Sequence, residues 1–185
     1  LKEFKTQYSQ VKVALHDVIA EQVVSMVRSG QAELGISFDP GEQEDLRFMP
    51  LFNDQFVAVL PSQHPLSQQT DIALSDLLKY DLLTLQAPSQ VRQLICDWLE
   101  SQELPFNPAM ETHQLVTIGR MVAQDLGVSI APALCELQMQ EVGAVCRPLK
   151  DKGISQRVGI ITRRRYPLSA AAQAMKEILQ STLQK

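Results

Sequence analysis

Residues 111–132, ETHQLVTIGRMVAQDLGVSIAP, place a helix directly before a strand. Four apolar residues recur at the spacing of one face of an amphipathic helix: Leu115, Ile118, Val122 and Leu126. The apolar run that follows, residues 128–131, ends at Pro132 and is typical of a parallel strand buried on both faces. The stretch therefore predicts a turn, a helix, a tight turn and a strand, as in an open α/β sheet.

The ends of this unit are occupied by polar and conformationally tolerant residues. Thr112 is placed to cap the helix, and Asp125 and Gly127 both tolerate the positive φ that a helix exit requires. Ligands of open α/β sheets bind beyond the carboxyl ends of strands, where helix N-termini offer free N–H groups. The pattern therefore predicts a site beside His113 and Gln114, although a packing unit without a ligand remains an open alternative.

The composition is that of an ordinary folded protein. Of its 185 residues, 45% are hydrophobic and 21% are charged, which allows one large domain or two small ones. No apolar run approaches about 18 residues, so no membrane span is expected. The net charge of -4 argues against nucleic-acid binding by this chain alone. The one basic run, residues 163–165, is interpreted as a solvated strand end.

The three cysteines, Cys96, Cys135 and Cys146, show no C-x-x-C spacing. An odd number without that spacing favours free thiols in a reducing cytoplasm over a disulfide or zinc framework. Residues 1–8 are typical of the end of a helix, so we expect the sequence to begin inside a larger protein.

The first part of the chain predicts a βαβ unit. Residues 11–17 alternate as in a strand, Asp17 is placed to cap the next helix, and Gly30 is placed to end it. Residues 32–38 predict a second strand, which should be parallel to the first because a helix connects the two.

The same alternation continues to the C-terminus. It predicts strands at 56–60, 82–85, 109–111, 128–132, 143–149 and 158–161, and helices at 74–78, from Val91 with Ser89 as its cap, at 135–142 and from Ser169. The fold class is therefore α/β, with two Rossmann-like lobes. We expect residues 1–66 with 155–185 to form lobe I and residues 67–154 to form lobe II. Crossover segments near 60–74 and 149–156 would form a hinge with a cleft.

No catalytic or metal-binding motif is present. His16, His64 and His113 lack the H-E-x-x-H spacing of a zinc site, and there is no nucleophile elbow or glycine-rich phosphate loop. His16 and His64 are interpreted as surface or structural residues. We therefore assign no catalytic residue, and we expect neither a metal ion nor a cofactor.

Small polar residues and backbone donors instead converge at predicted strand ends and helix starts. The predicted ligand-binding set consists of Asp17, Val18, Ser37, Phe38, Gln86, Ala87, Pro88, Ser89, Gln90, His113, Gln114, Ile130 and Pro132. Such a set suits a small ligand, particularly a carboxylate or other anion that is held by N–H groups.

Four segments, in this order, resemble the effector-binding domain of LysR-type transcriptional regulators. They are QVVSMVRSGQAELGISF (22–38), LRFMPLFNDQFVAVLPSQHPL (46–66), LSDLLKYDLLTL (74–85) and TIGRMVAQDLGVSIAP (117–132). Two positions depart from the family pattern: Glu33 replaces a commoner Asp, and Asp125 replaces the first glycine of a turn. The single cysteine near position 96 argues against the peroxide-sensing branch, which needs a pair there.

The resemblance implies a periplasmic-binding-protein-like fold with a small-molecule effector in the inter-lobe cleft. It also implies an upstream winged helix-turn-helix that binds DNA, a family first strand that this sequence lacks, and a cytoplasmic dimer or tetramer without membrane contact. Helices at 20–29 and 91–102 are the candidates for self-association. The alternatives are a periplasmic solute-binding protein and, less favoured, an enzyme on the same fold, such as a dehydratase or lyase that acts on a carboxylate.

Overall fold

The computed structural model describes residues 1–150 and 154–183. The helices are α1 (Lys2–Gln7), α2 (Ala20–Ser29), α3 (Leu74–Leu77), α4 (Gln90–Ser101), α5 (Leu115–Ala123), α6 (Glu136–Glu141) and α7 (Ala170–Leu183). The strands are β1 (Gly35–Phe38), β2 (Leu46–Pro61), β3 (Leu82–Leu85), β4 (Met110–Thr112), β5 (Val128–Pro132), β6 (Ala144–Pro148) and β7 (Ser155–Arg163). Across the described part of the chain, every helix is too short or too polar to cross a bilayer.

The chain divides into two compact units. The first contains Leu1–Asn53 and Gln156–Lys185, and the second contains Asp54–Ser155. Strand β2 contributes its first half to the first unit and its second half to the second. The lobe and crossover bounds expected from the sequence stay a prediction, and residues 151–153 of the second crossover lie outside the described residues.

The first unit is built on strands β1, β7 and β2, in that order. Strand β1 is antiparallel to β7, with Gly35 opposite Ile161. Helix α2 packs against β1, and α1 packs against α7. Val27, Leu46 and Ile161 form the buried centre of a hydrophobic cluster in this unit. Gly30 ends α2 with φ 79°, which confirms the predicted helix exit.

The predicted βαβ unit at the start of the chain is wrong. Residues 11–17 form no strand, and Leu15 is 76% exposed. A strand is stabilised by its hydrogen-bonded partner, and residues 11–17 have none in the described chain. Helix α2 therefore does not join two parallel strands, and β1 pairs instead with the returning strand β7. Asp17 does not cap α2 either, because Ile19 occupies that position without a side-chain hydrogen bond.

The second unit contains a sheet of order β6-β2-β5-β3-β4. Strand β2 is antiparallel to β5 and to β6, whereas β3 is parallel to both β4 and β5. The strand predicted at 56–60 is the buried second half of β2. Helices α4 and α5 pack against β3 and β5, and Leu83, Ile95 and Ile118 are among the most deeply buried side chains.

The helix and strand predicted within residues 111–132 are confirmed as α5 and β5. The chain leaves α5 through Asp125 at φ 60° and Gly127 at φ 148°, the two residues predicted to take positive φ. The predicted N-cap, Thr112, was wrong by two positions, because Gln114 is the N-cap of α5 and Thr112 ends β4. The Thr112 hydroxyl instead accepts a hydrogen bond from the Gln114 N–H at 3.2 Å.

Candidate functional site

The carboxyl ends of three parallel strands lie at one edge of the second unit's sheet. Strands β3 and β4 pair with Leu85 opposite Thr112, and β3 and β5 pair with Leu83 opposite Ser129. Helix α4 starts five residues after the end of β3, and α5 starts three residues after the end of β4. The edge therefore gathers three strand ends and two helix N-termini, which is the usual place for a ligand in an α/β sheet.

Gln86 and His113 meet at this edge. The Gln86 backbone N–H donates to the carbonyl oxygen of Thr112 at 2.8 Å, which extends the β3–β4 pairing by one residue. The side-chain Nε2 of Gln86 lies 2.6 Å from Nε2 of His113. With the amide in this orientation, Gln86 donates and the imidazole accepts, so the remaining donor of the ring is Nδ1–H. Both residues were predicted for the site, and the structure brings them into contact.

Ser89 caps helix α4, as predicted. Its Oγ accepts a hydrogen bond from the Arg92 N–H at 3.3 Å, so its own hydroxyl proton remains available to a ligand. Ala87 and Pro88, which precede it, are exposed and joined by a cis peptide bond. Gln90 is the first residue of the helix, and its N–H is one of the donors without an intrahelical acceptor.

Helix α5 offers a second set of donors close to the first. Gln114 precedes the helix, and its amide side chain makes no hydrogen bond within the described residues. The N–H groups of Leu115 and Val116 have no intrahelical acceptor because they open the helix. Together with Ser89 and His113, these groups present donors to solvent, and a helix N-terminus also carries partial positive charge. The arrangement favours an anionic or carboxylate ligand.

Three residues missed at the sequence level complete the surroundings. Arg92 Nη2 lies 2.7 Å from Glu111 Oε1, and the Arg92 guanidinium stacks on the ring of Phe106 at 4.9 Å. Arg92 is thus held by a carboxylate and an aromatic ring and is not a free cation. The position of Arg92 in the first turn after Ser89 was a signal in the sequence that it lies near the site. Its contact with Glu111 could not be predicted, because that contact depends on the pairing of β3 with β4.

The other predicted site residues are buried in the second unit or belong to the first unit. Ile130 is only 2% exposed and Pro132 is also buried, so both belong to the core of the second unit along β5. Four residues belong to the first unit: Asp17 and Val18 before α2, and Ser37 and Phe38 at the end of β1. Asp17 is exposed and outside regular structure.

The remaining histidines have separate environments. His64 is buried, and its Nδ1 accepts the Leu66 N–H at 3.2 Å. Its ring packs edge-to-face with that of Tyr80, with 4.3 Å between the ring centroids. Burial lowers the pKa of His64, against a smaller opposing effect of Asp125. His16 is exposed. Over residues 1–150 and 154–183, His, Cys, Asp and Glu side chains form no cluster that could hold a metal ion.

Comparison with known proteins identifies related sequences over the whole chain. The family model described as LysR substrate binding domain matches residues 1–184. A probable RuBisCO transcriptional regulator from Trichormus variabilis is 31% identical over 186 residues, which cover 95% of this chain and 55% of the relative. The chain therefore spans about half the length of the curated relatives that it matches.

Solved structures share the fold. The effector binding domain of QuiR in complex with shikimate has a TM-score of 0.86 at 16% identity, and the match covers 98% of this chain and 87% of that one. The BenM effector binding domain with its effector benzoate has a TM-score of 0.82 at 16% identity, covering 98% and 82% respectively. These neighbours confirm the predicted α/β, periplasmic-binding-protein-like fold class.

Proposed function

This chain belongs to the LysR substrate binding domain family, and we propose that it is the effector-sensing regulatory domain of a bacterial transcriptional regulator. The name of the Trichormus variabilis relative supports the regulatory role. Family membership assigns a regulatory domain and not an enzyme. The ligand would therefore be bound and released without chemical conversion.

The proposed ligand is a small carboxylate or other anion that contacts the donor cluster of the second unit. We define this donor cluster as Ser89, His113, Gln114 and the first N–H groups of α4 and α5. The observation that carries the proposal is that two helix N-termini and these side chains lie at one sheet edge. Shikimate and benzoate, the ligands named for the two fold neighbours, are both carboxylates, which agrees with this ligand class.

The chemistry of the donor cluster explains how it would hold an anion without a free cation. Backbone N–H groups at a helix start can each donate to a carboxylate oxygen, and the helix dipole adds to the attraction. A hydrogen bond to a charged group contributes about 1.5–3 kcal/mol, so two or three such bonds support a useful affinity. Asp17, Val18, Ser37 and Phe38 of the first unit stay predictions for the same ligand.

The test is ligand binding by a pair of glutamine variants that flank α5. Gln114→Ala removes an amide from the donor cluster, whereas Gln124→Ala removes another exposed amide from the other end of the helix. Shikimate, benzoate and other small carboxylates serve as probes in thermal shift and calorimetry. A probe at about 100 times its Kd should stabilise the protein by about 2.7 kcal/mol.

The expected result is that Gln114→Ala weakens binding by about tenfold or more, while Gln124→Ala does not change it. Neither residue makes a side-chain hydrogen bond in the described structure, so both variants should fold. Equal affinities for both variants would contradict the contact with Gln114. A panel of carboxylates that gives no shift with the wild-type protein would contradict the ligand class.

The rest of the regulator follows from the same proposal. The relatives are longer than this chain, and we propose that the whole protein is cytoplasmic and binds DNA through an upstream winged helix-turn-helix. We also propose that it self-associates as a dimer or tetramer through helices α2 and α4. Addition of the ligand to the full-length protein should change its affinity for operator DNA or the position at which it binds. An unchanged DNA complex at saturating ligand would refute the sensing role.

A further inference from the structure

The first unit contains a cavity with a strongly basic lining. The cavity has a volume of about 520 Å³ and lies among the first residues of β2, the end of β7 and the first turns of α7. Five of its fourteen lining residues are cationic: Arg47, Arg163, Arg164, Arg165 and Lys176. None of the lining residues that the structure describes is acidic, although the chain as a whole has 21 acidic residues against 17 Lys and Arg.

Two of these cations are held by uncharged groups. The Arg163 guanidinium stacks on the Tyr166 ring at 4.4 Å. Arg164 donates from Nε to the carbonyl oxygen of Leu46 at 3.3 Å and from Nη2 to that of Gln43 at 3.4 Å. Neither contact neutralises the positive charge, so both cations still contribute to the electrostatic potential of the cavity.

The other three cations have no counter-ion in the described structure. Arg47, Arg165 and Lys176 form no ion pair and no side-chain hydrogen bond within residues 1–150 and 154–183. They come from β2, from the turn after β7 and from α7, so the fold brings these like charges together. Like charges that share a concave surface repel one another, and such a surface concentrates anions from solution.

We propose that this basic cavity binds a small polyanion that carries phosphate groups. Arginine matches the geometry of phosphate oxygens in pairs of hydrogen bonds, and several cations suit the multiple charge of a phosphate or diphosphate. Phe48, Tyr166 and Leu168 also line the cavity and offer apolar contact to the rest of an organic phosphate. None of the residues predicted for the effector lines this cavity, so the proposal does not rest on the proposed function.

The size of the cavity favours a small molecule over a nucleic acid. A cavity of about 520 Å³ falls within the range of small-ligand sites. A DNA-binding module needs an extended basic surface that buries about 600–1,000 Å². The net charge of -4 works against so large a contact with a polyanionic strand.

The test is calorimetric titration of the purified protein with inorganic pyrophosphate at low ionic strength, where screening is weak. Arg165→Gln and Lys176→Gln each remove one unpartnered cation of the basic cavity. Arg120→Gln is the matched control, because Arg120 is an exposed arginine of α5 that makes no ion pair in the described structure. All three variants change the net charge by the same amount.

We expect Arg165→Gln and Lys176→Gln each to weaken pyrophosphate binding by about tenfold, with Arg120→Gln unchanged. Lys176→Arg, which keeps the charge, should retain binding and so separates loss of charge from loss of packing. Absence of binding by the wild-type protein, or equal weakening by all three neutralising variants, would overturn the proposal. Competition by a short DNA duplex that binds more tightly than pyrophosphate would also overturn it, in favour of a nucleic-acid surface. The Gln114→Ala variant should bind pyrophosphate normally, so failure of one proposal does not entail failure of the other.

Discussion

Replacing Gly127 with Ala tests the turn that connects α5 to β5. Gly127 has φ 148°, and a Cβ at this position would lie 2.4 Å from the carbonyl oxygen of Asp81. An ordinary contact is 3.4–4 Å, so the backbone would have to move by about 1 Å. The same carbonyl accepts the Val128 N–H at 2.9 Å, a bond that joins the start of β5 to the residue before β3. The substitution therefore affects the register of a strand that leads to the donor cluster.

The loss in free energy of unfolding that Gly127→Ala causes has three contributions. A positive φ costs a residue with a Cβ about 1–2 kcal/mol. Overpacking against neighbouring atoms costs about 1–3 kcal/mol, and a weakened Val128–Asp81 hydrogen bond costs about 1 kcal/mol. Gly127→Ala should thus lower the free energy of unfolding by about 3–6 kcal/mol.

Gly143→Ala is the matched control in the same unit. Gly143 also has positive φ, at 96°, but its Cβ would meet only the Ala123 side chain at an ordinary 3.6 Å. Gly143→Ala should therefore lower the free energy of unfolding by only the conformational contribution, about 1–2 kcal/mol. Urea unfolding followed by circular dichroism measures both variants. Losses that agree within about 0.5 kcal/mol would refute the argument, because the clash with Asp81 would then contribute nothing.

Two predictions concern buried titratable groups. Burial raises the pKa of the Cys146 thiol to about 12, so iodoacetamide should modify Cys96 in the native protein at about pH 8 and leave Cys146 intact, as peptide mass mapping would reveal. Burial also raises the pKa of Asp54, despite the Leu134 N–H that its Oδ1 accepts. As pH rises, Asp54 therefore ionises at a lower pH in the unfolded state than in the folded state. The free energy of unfolding falls between these two pKa values. The Tm of Asp54→Asn relative to wild type should therefore rise from about pH 4 to pH 7, and a constant difference would contradict the burial effect.

Elements with local signals could be predicted from the sequence. The α5–β5 stretch combines helical apolar spacing, residues that tolerate positive φ and a short apolar run, and each of these acts over a few residues. Ser89 was identified as a helix cap for the same reason, because a capping serine needs only the backbone N–H of a residue two or three positions later. Gln86 and His113 were both predicted for the site from their places at strand ends.

Pairing between distant segments could not be predicted in this way. Residues 11–17 have the alternation of a strand, but alternation does not supply the hydrogen-bonded partner that a strand requires. The β1–β7 pairing joins Gly35 to Ile161, far apart in the chain, and no local pattern encodes it. The contact between Gln86 and His113 likewise depends on the register of β3 against β4.

The basic cavity illustrates the same limit at the level of charge. Residues 163–165 alone are typical of a solvated strand end, and the sequence gives no reason to associate them with Arg47 or Lys176. The fold changes the interpretation because it adds these two cations to the run, and no described residue of the lining is a carboxylate. The overall charge of -4 conceals this local excess, since net charge averages over surfaces that no single ligand touches.

Binding at the basic cavity should depend much more strongly on salt than binding at the donor cluster. Hydrogen bonds from backbone N–H groups and neutral side chains depend weakly on ionic strength, whereas attraction by exposed cations such as Arg165 is screened once the Debye length falls to about 10 Å near 0.1 M salt. Raising sodium chloride from about 0.02 to 0.2 M should therefore weaken pyrophosphate binding by about tenfold or more and change carboxylate binding by less than about threefold. Calorimetry on one protein preparation measures both. Equal salt dependence for the two ligands would mean that both rely on the same kind of charge, and the assignment of separate binding chemistries would then be withdrawn.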